Sequence, residues 1–94
     1  MLNDLDPLLH SQLRLAIISL LISLEEAEFV FLKEKTNTSA GNLSLQLEKL
    51  RAAGYIEIIK TMKNKYPLTK CKITPQGVVA FEQYISDIKG YLHL

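Results

Sequence analysis

The chain has 94 residues, of which 48% are hydrophobic and 22% charged, a composition typical of one small globular domain that excludes a disordered or collagen-like chain. Its single cysteine, Cys71, excludes an internal disulfide, and an acidic N-terminus without the basic start of a secretory signal predicts a cytoplasmic protein. The longest apolar stretch, residues 15–24, is too short for a membrane span, which needs about 20 residues, so no membrane partner is expected.

The first predicted helix begins after a capping serine, Ser11, and runs to about Leu24. Its apolar residues form two stripes on opposite sides, which indicates a helix that is buried on both sides. One stripe is expected to cover the domain core: Leu13, Ala16, Ile17, Leu20, Leu21 and Leu24. The other stripe needs a cover that so small a domain does not readily supply. We therefore expect a homodimer whose interface joins that stripe to the end of the last helix, through Leu15, Ile18, Ile22, Ile88 and Leu92.

A second and a third helix follow, joined by a short turn. Residues 25–28, Glu-Glu-Ala-Glu, suit the start of the second helix, where the helix dipole favours negative charge. Thr38 or Ser39 then caps a third helix that ends at Ala53, and Gly54 is a good residue to follow a helix end. The spacing of three leucines predicts the buried face of the third helix: Leu43, Leu47 and Leu50.

The remaining chain predicts a hairpin and a final helix. Residues 55–60 and 69–73 have the composition and alternation of strands, with Cys71 on the core side and a polar segment between them. Thr74 and Pro75 begin a last helix over residues 75–92. Its apolar stripe consists of Val78, Phe81, Ile85, Ile88 and Leu92. The sequence thus predicts a single domain over residues 1–94, mainly α with a small β-hairpin, in the order α-α-α-β-β-α.

The charges of this nearly neutral chain are unevenly distributed. The net charge is +1, but residues 60–72 hold five lysines and no acid. A lysine-rich loop attracts phosphates without regard to sequence. We therefore expect the hairpin to contact nucleic acid through Lys63, Asn64, Lys65 and Lys70.

The two helices before the hairpin have the arrangement of a helix-turn-helix, in which the second helix lies in the major groove of DNA. The leucines of the third helix face inward, so its polar residues face the open side. Asn and Gln can bond bidentately to adenine, and an apolar side chain can touch a thymine methyl group. The expected DNA contacts on this helix are Ser39, Asn42, Ser44, Leu45, Gln46 and Lys49.

Three segments carry a family resemblance: residues 5–21, residues 29–60 and residues 69–85. The most specific part is GNLSLQLEKLRAAGYIE, followed by the hairpin and ITPQG. The chain resembles the small winged helix-turn-helix regulators related to the MarR and ArsR families. That resemblance implies a recognition helix, a wing, a C-terminal helix used for dimerisation, and sequence-specific binding of double-stranded DNA. Leu45 departs from the pattern, since such proteins often carry a polar or basic side chain there.

Other functions have less support. No catalytic arrangement, phosphate-binding glycine loop or metal-ligand spacing is present, so we expect neither an enzyme nor a cofactor. His10 is expected to cap or pack, and Cys71 to be a buried small hydrophobe. One alternative is a winged helix that binds a protein instead of DNA, because a fold does not fix a function. A second alternative is RNA, although the sequence has no RNP-type aromatic signature. The effector, the operator sequence and the direction of regulation stay open.

Overall fold

The computed structural model describes residues 2–93, which form four helices and a three-stranded antiparallel sheet. In chain order the elements are α1 (Gln12–Leu24), β1 (Glu26–Glu28), α2 (Phe29–Thr36), α3 (Ala40–Ala52), β2 (Ile56–Lys63), β3 (Tyr66–Ile73) and α4 (Pro75–Leu92). The predicted order of helices and hairpin is confirmed, with one strand added before α2. Within residues 2–93, no helix combines the length and the apolarity that crossing a membrane would require.

The helix starts follow the local capping signals. The Ser11 side chain accepts a hydrogen bond from the Arg14 backbone at the start of α1. Ser39, rather than Thr38, caps α3. Thr74 caps α4, where Pro75 occupies the first helical position. Each cap satisfies a backbone N–H that has no partner within its helix, which is why these boundaries were predictable from sequence.

The acidic segment before α2 is a strand, and the prediction that it starts the helix is wrong. Glu25 ends α1 with a φ of 69°, and its carbonyl oxygen accepts a hydrogen bond from the Ile73 backbone at 3.0 Å. The next three residues form β1, which pairs with β3 and places Ala27 opposite Cys71. β3 would otherwise have one open edge with unpaired backbone N–H and C=O groups. The hydrogen bonds that β1 forms with this edge outweigh the local preference of the segment for a helix.

The hydrophobic core lies between the helices and the inner face of the sheet. Cys71 is fully buried within it, as expected, and burial raises the pKa of its thiol to about 11. The core consists of Leu9, Ile17, Ile18, Leu21, Leu32, Leu43, Leu47, Leu50, Ile56, Cys71 and Tyr84. The leucine stripe predicted for α3 is therefore confirmed.

The side of α1 that faces the core lies between the two predicted stripes. Ile17 and Leu21 come from one stripe and Ile18 from the other, and all three are fully buried. Leu24, assigned to the core from sequence, is 47% exposed instead. The prediction that Ile18 lies at a dimer interface is also wrong, because a side chain with no accessible surface in the single chain has nothing to present to a second one.

The apolar stripe of α4 is only half buried. The buried positions of this helix are Gly77, Tyr84 and Asp87. Gly77 packs against the Tyr55 backbone, whereas the N-terminal segment contacts Tyr84 and Asp87. Asp87 accepts hydrogen bonds from Asn3 at 3.0 Å and from Gln83 at 2.9 Å. His10 contacts the Tyr84 hydroxyl through Nδ1 at 2.9 Å, which agrees with its expected packing role.

The start of α4 is joined tightly to the segment between α3 and β2. The Thr74 hydroxyl donates to the Gly54 carbonyl at 2.6 Å, and the Thr74 backbone donates to the Tyr55 carbonyl at 3.1 Å. Gly54 has a φ of +81°, a conformation that glycine adopts without strain. These contacts fix the direction in which the hairpin leaves the end of α3.

Candidate nucleic-acid interface

The exposed side of α3 carries a short stripe of side chains that we call the open face: Asn42, Leu45 and Lys49, spaced i, i+3 and i+7. All three are exposed, and Leu45 presents 54% of its surface. Gly41 lies in the first turn of the same helix, and a Cβ atom built on it would have no neighbour within 4 Å. The backbone at the start of α3 is thus accessible to a large partner.

Next to the open face, four side chains form a chain of three hydrogen bonds that ends on α1, and we call it the amide ladder. The Arg14 guanidinium donates through Nη1 to Gln46 Oε1 at 2.6 Å. Gln46 Nε2 donates to Asn42 Oδ1 at 3.0 Å, and Asn42 Nδ2 donates to the Thr38 hydroxyl at 3.0 Å. The two amides proposed from sequence to read bases are therefore held in defined orientations.

Arg14 is itself anchored on the turn that precedes α1. Its Nε donates to the Leu8 carbonyl oxygen at 2.6 Å, so two of its nitrogens are engaged at once. Among residues 2–93 no carboxylate forms an ion pair with it. Its positive charge therefore lies uncompensated next to α3.

The hairpin of β2 and β3 is longer than predicted, with eight residues in each strand and a two-residue turn at Asn64 and Lys65. Both turn residues have positive φ, 52° and 70°, as the tight turns that suit the twist of a hairpin require. The tip is exposed, with Lys63 and Lys65 beside Tyr66, which is 75% exposed, and Met62, which is 63% exposed.

The lysines of the hairpin are not equivalent. Lys72 lies between Glu57 on β2 and Glu26 on β1 in the strand register. Lys70 lies next to Glu28 in that register, and its Nζ is 3.8 Å from a carboxylate oxygen of Glu26. Residues 60–72 contain no acid, but in the folded protein β1 places two glutamates on the same outer face of the sheet as Lys70 and Lys72. The charge that remains uncompensated is concentrated at the tip.

The sequence matches the winged helix DNA-binding domain family over residues 13–92, most of the chain. The chain belongs to the winged helix DNA-binding domain family. It is also 43% identical over 79 residues to the uncharacterized protein MJ0432 of Methanocaldococcus jannaschii, covering 84% of this chain and 86% of that protein. The expected DNA-binding function is confirmed at the level of the family, whose model describes a winged helix DNA-binding domain.

Solved structures share this winged helix fold. A transcriptional regulator homologue from Pyrococcus horikoshii OT3 superposes with a TM-score of 0.86 at 23% identity, covering 92% of this chain and 85% of that one. MarR from E. coli complexed with operator DNA has a TM-score of 0.73 at 20% identity, covering 88% of this chain and 58% of that one. The fold is therefore that of MarR-type transcriptional regulators, as the sequence resemblance implied.

Within the winged helix, α2 and α3 are the helix-turn-helix pair and the β2–β3 hairpin is the wing. The structure brings most residues predicted to bind DNA to the surface of α3 or to the tip of the wing. Ser44 lies to one side, lining a groove between α3 and the wing together with Lys60 and Thr69. Lys70 is the exception, since it lies away from the tip and pairs with Glu26. Lys70 is therefore not among the proposed DNA contacts.

The winged helix also contains site residues that sequence reasoning missed. Arg14 lies 32 positions before Gln46, and no local pattern links the two. The sequence predicts Thr38 only as a possible cap, whereas its hydroxyl accepts the last bond of the amide ladder. The one signal in the sequence that could have identified Arg14 is its position near the start of a mostly apolar helix. A charged group there needs a polar partner once the helix packs against the rest of the domain.

Proposed function

We propose that this chain binds specific duplex DNA sites as a transcriptional regulator, with α3 in the major groove. The open face of α3 carries the proposal. Asn42 can bond bidentately to adenine, Leu45 can pack on a thymine methyl group, and Lys49 is suited to a phosphate. Gln46 is only partly exposed and holds Asn42, so it contributes both by contact and by orientation.

The wing supplies affinity in this proposal, not sequence preference. Lys63 and Lys65 lie at an exposed tip, where they act as point charges towards phosphates on either side of a minor groove. Tyr66 and Met62 add apolar surface next to these charges. Contacts of this kind weaken as salt increases, because each neutralised phosphate releases condensed counterions.

A homodimer fits the partly exposed apolar surface of α1 and α4. Leu15 and Ile22 on α1 and Ile88 on α4 are half buried, and Leu92 is 59% exposed. A twofold pair would place two copies of α3 on half-sites about one helical turn apart, so the preferred operator would be palindromic. We retain the cytoplasmic location expected from the sequence, and we propose no catalytic activity.

Selection from a random duplex pool tests the proposal. The parent protein should enrich a palindromic motif, and Asn42→Ala should relax one position in each half-site by about 1–3 kcal/mol. Glu82→Ala, on the exposed side of α4, is the matched control and should leave the motif unchanged. If the parent enriches no motif at either of two salt concentrations, sequence-specific binding is excluded.

Docking of a protein is the second candidate, and Leu45 is the observation that favours it. An exposed leucine in the middle of the open face would suit an apolar partner surface as well as a thymine methyl group. Leu45→Asn distinguishes the two functions. A DNA-binding protein should keep its affinity for duplexes with an altered motif, whereas a docking protein should bind no duplex before or after the change.

A further inference from the structure

We propose that Arg14 is the positioning residue that sets the direction of the amide ladder, and through it the order in which Asn42 presents its donor and acceptor to a base. This inference rests on the proposed function of α3. It deepens that function by naming a determinant of specificity on α1, a helix that lies outside the helix-turn-helix pair.

The argument starts from the hydrogen-bonding capacity of each group. A guanidinium has only donors, whereas an amide side chain has one accepting end and one donating end. Arg14 Nη1 lies 2.6 Å from Gln46, so the atom of Gln46 that faces it must be the oxygen. The nitrogen of Gln46 then points towards Asn42, and the atom of Asn42 that receives it must also be an oxygen.

The other end of the ladder imposes no direction. The Thr38 hydroxyl can donate or accept, because its proton rotates to suit its partner. Asn42 donates to Thr38 at 3.0 Å in the observed direction, but the reverse bond would satisfy the same hydroxyl. Only the bond between Arg14 and Gln46 distinguishes the two directions. It is also the shortest in the ladder and the one with a charged donor, the kind that is roughly twice as strong as a neutral bond.

The position of Arg14 is fixed independently of the ladder. Its Nε donates to the Leu8 carbonyl at 2.6 Å, in the turn before α1, and its backbone N–H is bound by the capping Ser11 side chain. Leu8 precedes the fully buried Leu9. The guanidinium is thus held by the turn before α1 as well as by Gln46, so the direction it imposes is present before any DNA arrives.

The consequence for recognition follows from the geometry of a bidentate contact. Asn42 is exposed and keeps one free N–H and one free lone pair beyond its ladder bonds. A base edge such as adenine offers an acceptor and a donor in a fixed order. Reversing the amide exchanges the two atoms that face the groove, so an amide free to reverse loses the discrimination that a fixed order provides.

Two substitutions separate direction from charge and packing. Arg14→Gln has a side chain that can both donate and accept, which removes the constraint on direction. Arg14→Lys has only donors and keeps the positive charge, so it should bind more weakly than the parent but with the same preferred base. The preference is read as a ratio of affinities for two duplexes that differ at the position relaxed by Asn42→Ala. A non-specific loss of charge cancels in that ratio.

For Arg14→Gln we expect the preference ratio to fall about tenfold, the scale of one bidentate contact. Gln46→Glu provides a second test that leaves Arg14 in place. A carboxylate at this position accepts from Arg14 but cannot donate to Asn42, so Asn42 must turn its nitrogen towards it and its preferred base should change. A ratio that is unchanged in both variants would overturn the inference.

The role of Arg14 can also be tested in the free protein, without DNA. In the parent, NMR should show a strong nuclear Overhauser effect between the Asn42 side-chain N–H protons and the methyl group of Thr38. The effect should weaken in Arg14→Gln and persist in Arg14→Lys. An equal effect in all three proteins would overturn the proposed role of Arg14, whereas a parent protein that shows this effect and prefers no duplex would overturn the proposed function instead.

Discussion

Gly77 in α4 lies directly against the backbone of Tyr55, so closely that a Cβ atom built at residue 77 would be 2.2 Å from the Tyr55 carbonyl oxygen. The same oxygen accepts a hydrogen bond from the Thr74 backbone, so it cannot move away without losing that bond. This close approach explains the glycine in the ITPQG segment. It also connects α4, the end of α3 and the start of the wing in one junction.

Replacing Gly77 with alanine should lower the free energy of unfolding by about 2–3 kcal/mol or more, because the added methyl group forces the helix away from a backbone atom. Gly90→Ala in the same helix is the matched control, since a Cβ atom there has no neighbour within 4 Å. Urea denaturation followed by circular dichroism measures both. Equal stability of the two variants would show that the junction is not closely packed.

Gly41→Ala should separate stability from DNA binding. The site is open in the free protein, so an alanine should be neutral or stabilise α3 by up to about 1 kcal/mol. If the start of α3 approaches the duplex closely, the methyl group should reduce DNA affinity despite the unimpaired stability. Gly90→Ala controls for the general effect of replacing a helical glycine. Undiminished affinity of the Gly41 variant would place the start of α3 away from the duplex.

Lys65 occupies a turn position with a φ of 70°, which costs an ordinary side chain about 1 kcal/mol or more. Lys65→Gly should therefore stabilise the wing while it removes a charge from the tip. The slope of log affinity against log salt should shrink by about one unit, and the preferred motif should stay the same. Fluorescence anisotropy at several salt concentrations measures the slope. Lys70→Gln is the comparison, and its slope should match the parent because Lys70 lies away from the tip.

The Tyr55 hydroxyl donates to Asp6 at 2.6 Å, and burial, followed by this hydrogen bond and the negative charge of Asp6, raises the pKa of Tyr55 to about 12. A pKa raised above its unfolded value of 10.0 means that the associated stability is fully present below pH 10. It should be lost as the pH rises from 10 to about 12. The free energy of unfolding of Tyr55→Phe, measured by denaturation at a series of alkaline pH values, should therefore change less with pH over that interval than that of the parent. Two superimposable curves would contradict this assignment.

Leu92→Glu tests the proposed dimer. The side chain is 59% exposed at the end of the half-buried stripe of α4, so the charge should not disturb the fold of one chain but should oppose burial against a second one. Val79→Glu, 65% exposed on another side of the same helix, is the control. Sedimentation should show a dimer for the parent and the control and a monomer for Leu92→Glu. A monomeric parent at every accessible concentration would exclude the dimer.

Local chemistry determined much of this protein from the sequence alone. Ser11, Ser39 and Thr74 cap their helices through bonds that span three residues, so neighbouring residues suffice to predict them. The buried leucines of α3 follow from the helical repeat in the same way. The open face of α3 is the complement of that stripe, which is why most of the candidate site was predictable.

Tertiary structure decided the features that depend on residues far apart in the chain. β1 is three residues long and has no strand pattern of its own, and it exists because β3 offers it an unpaired edge. That pairing also neutralises Lys70, which looked free in sequence. The direction of the amide ladder depends on Arg14, which reaches Gln46 only when α1 packs against α3. Short-range rules describe bonds between neighbours, whereas these contacts form only when the hydrophobic core brings separate elements together.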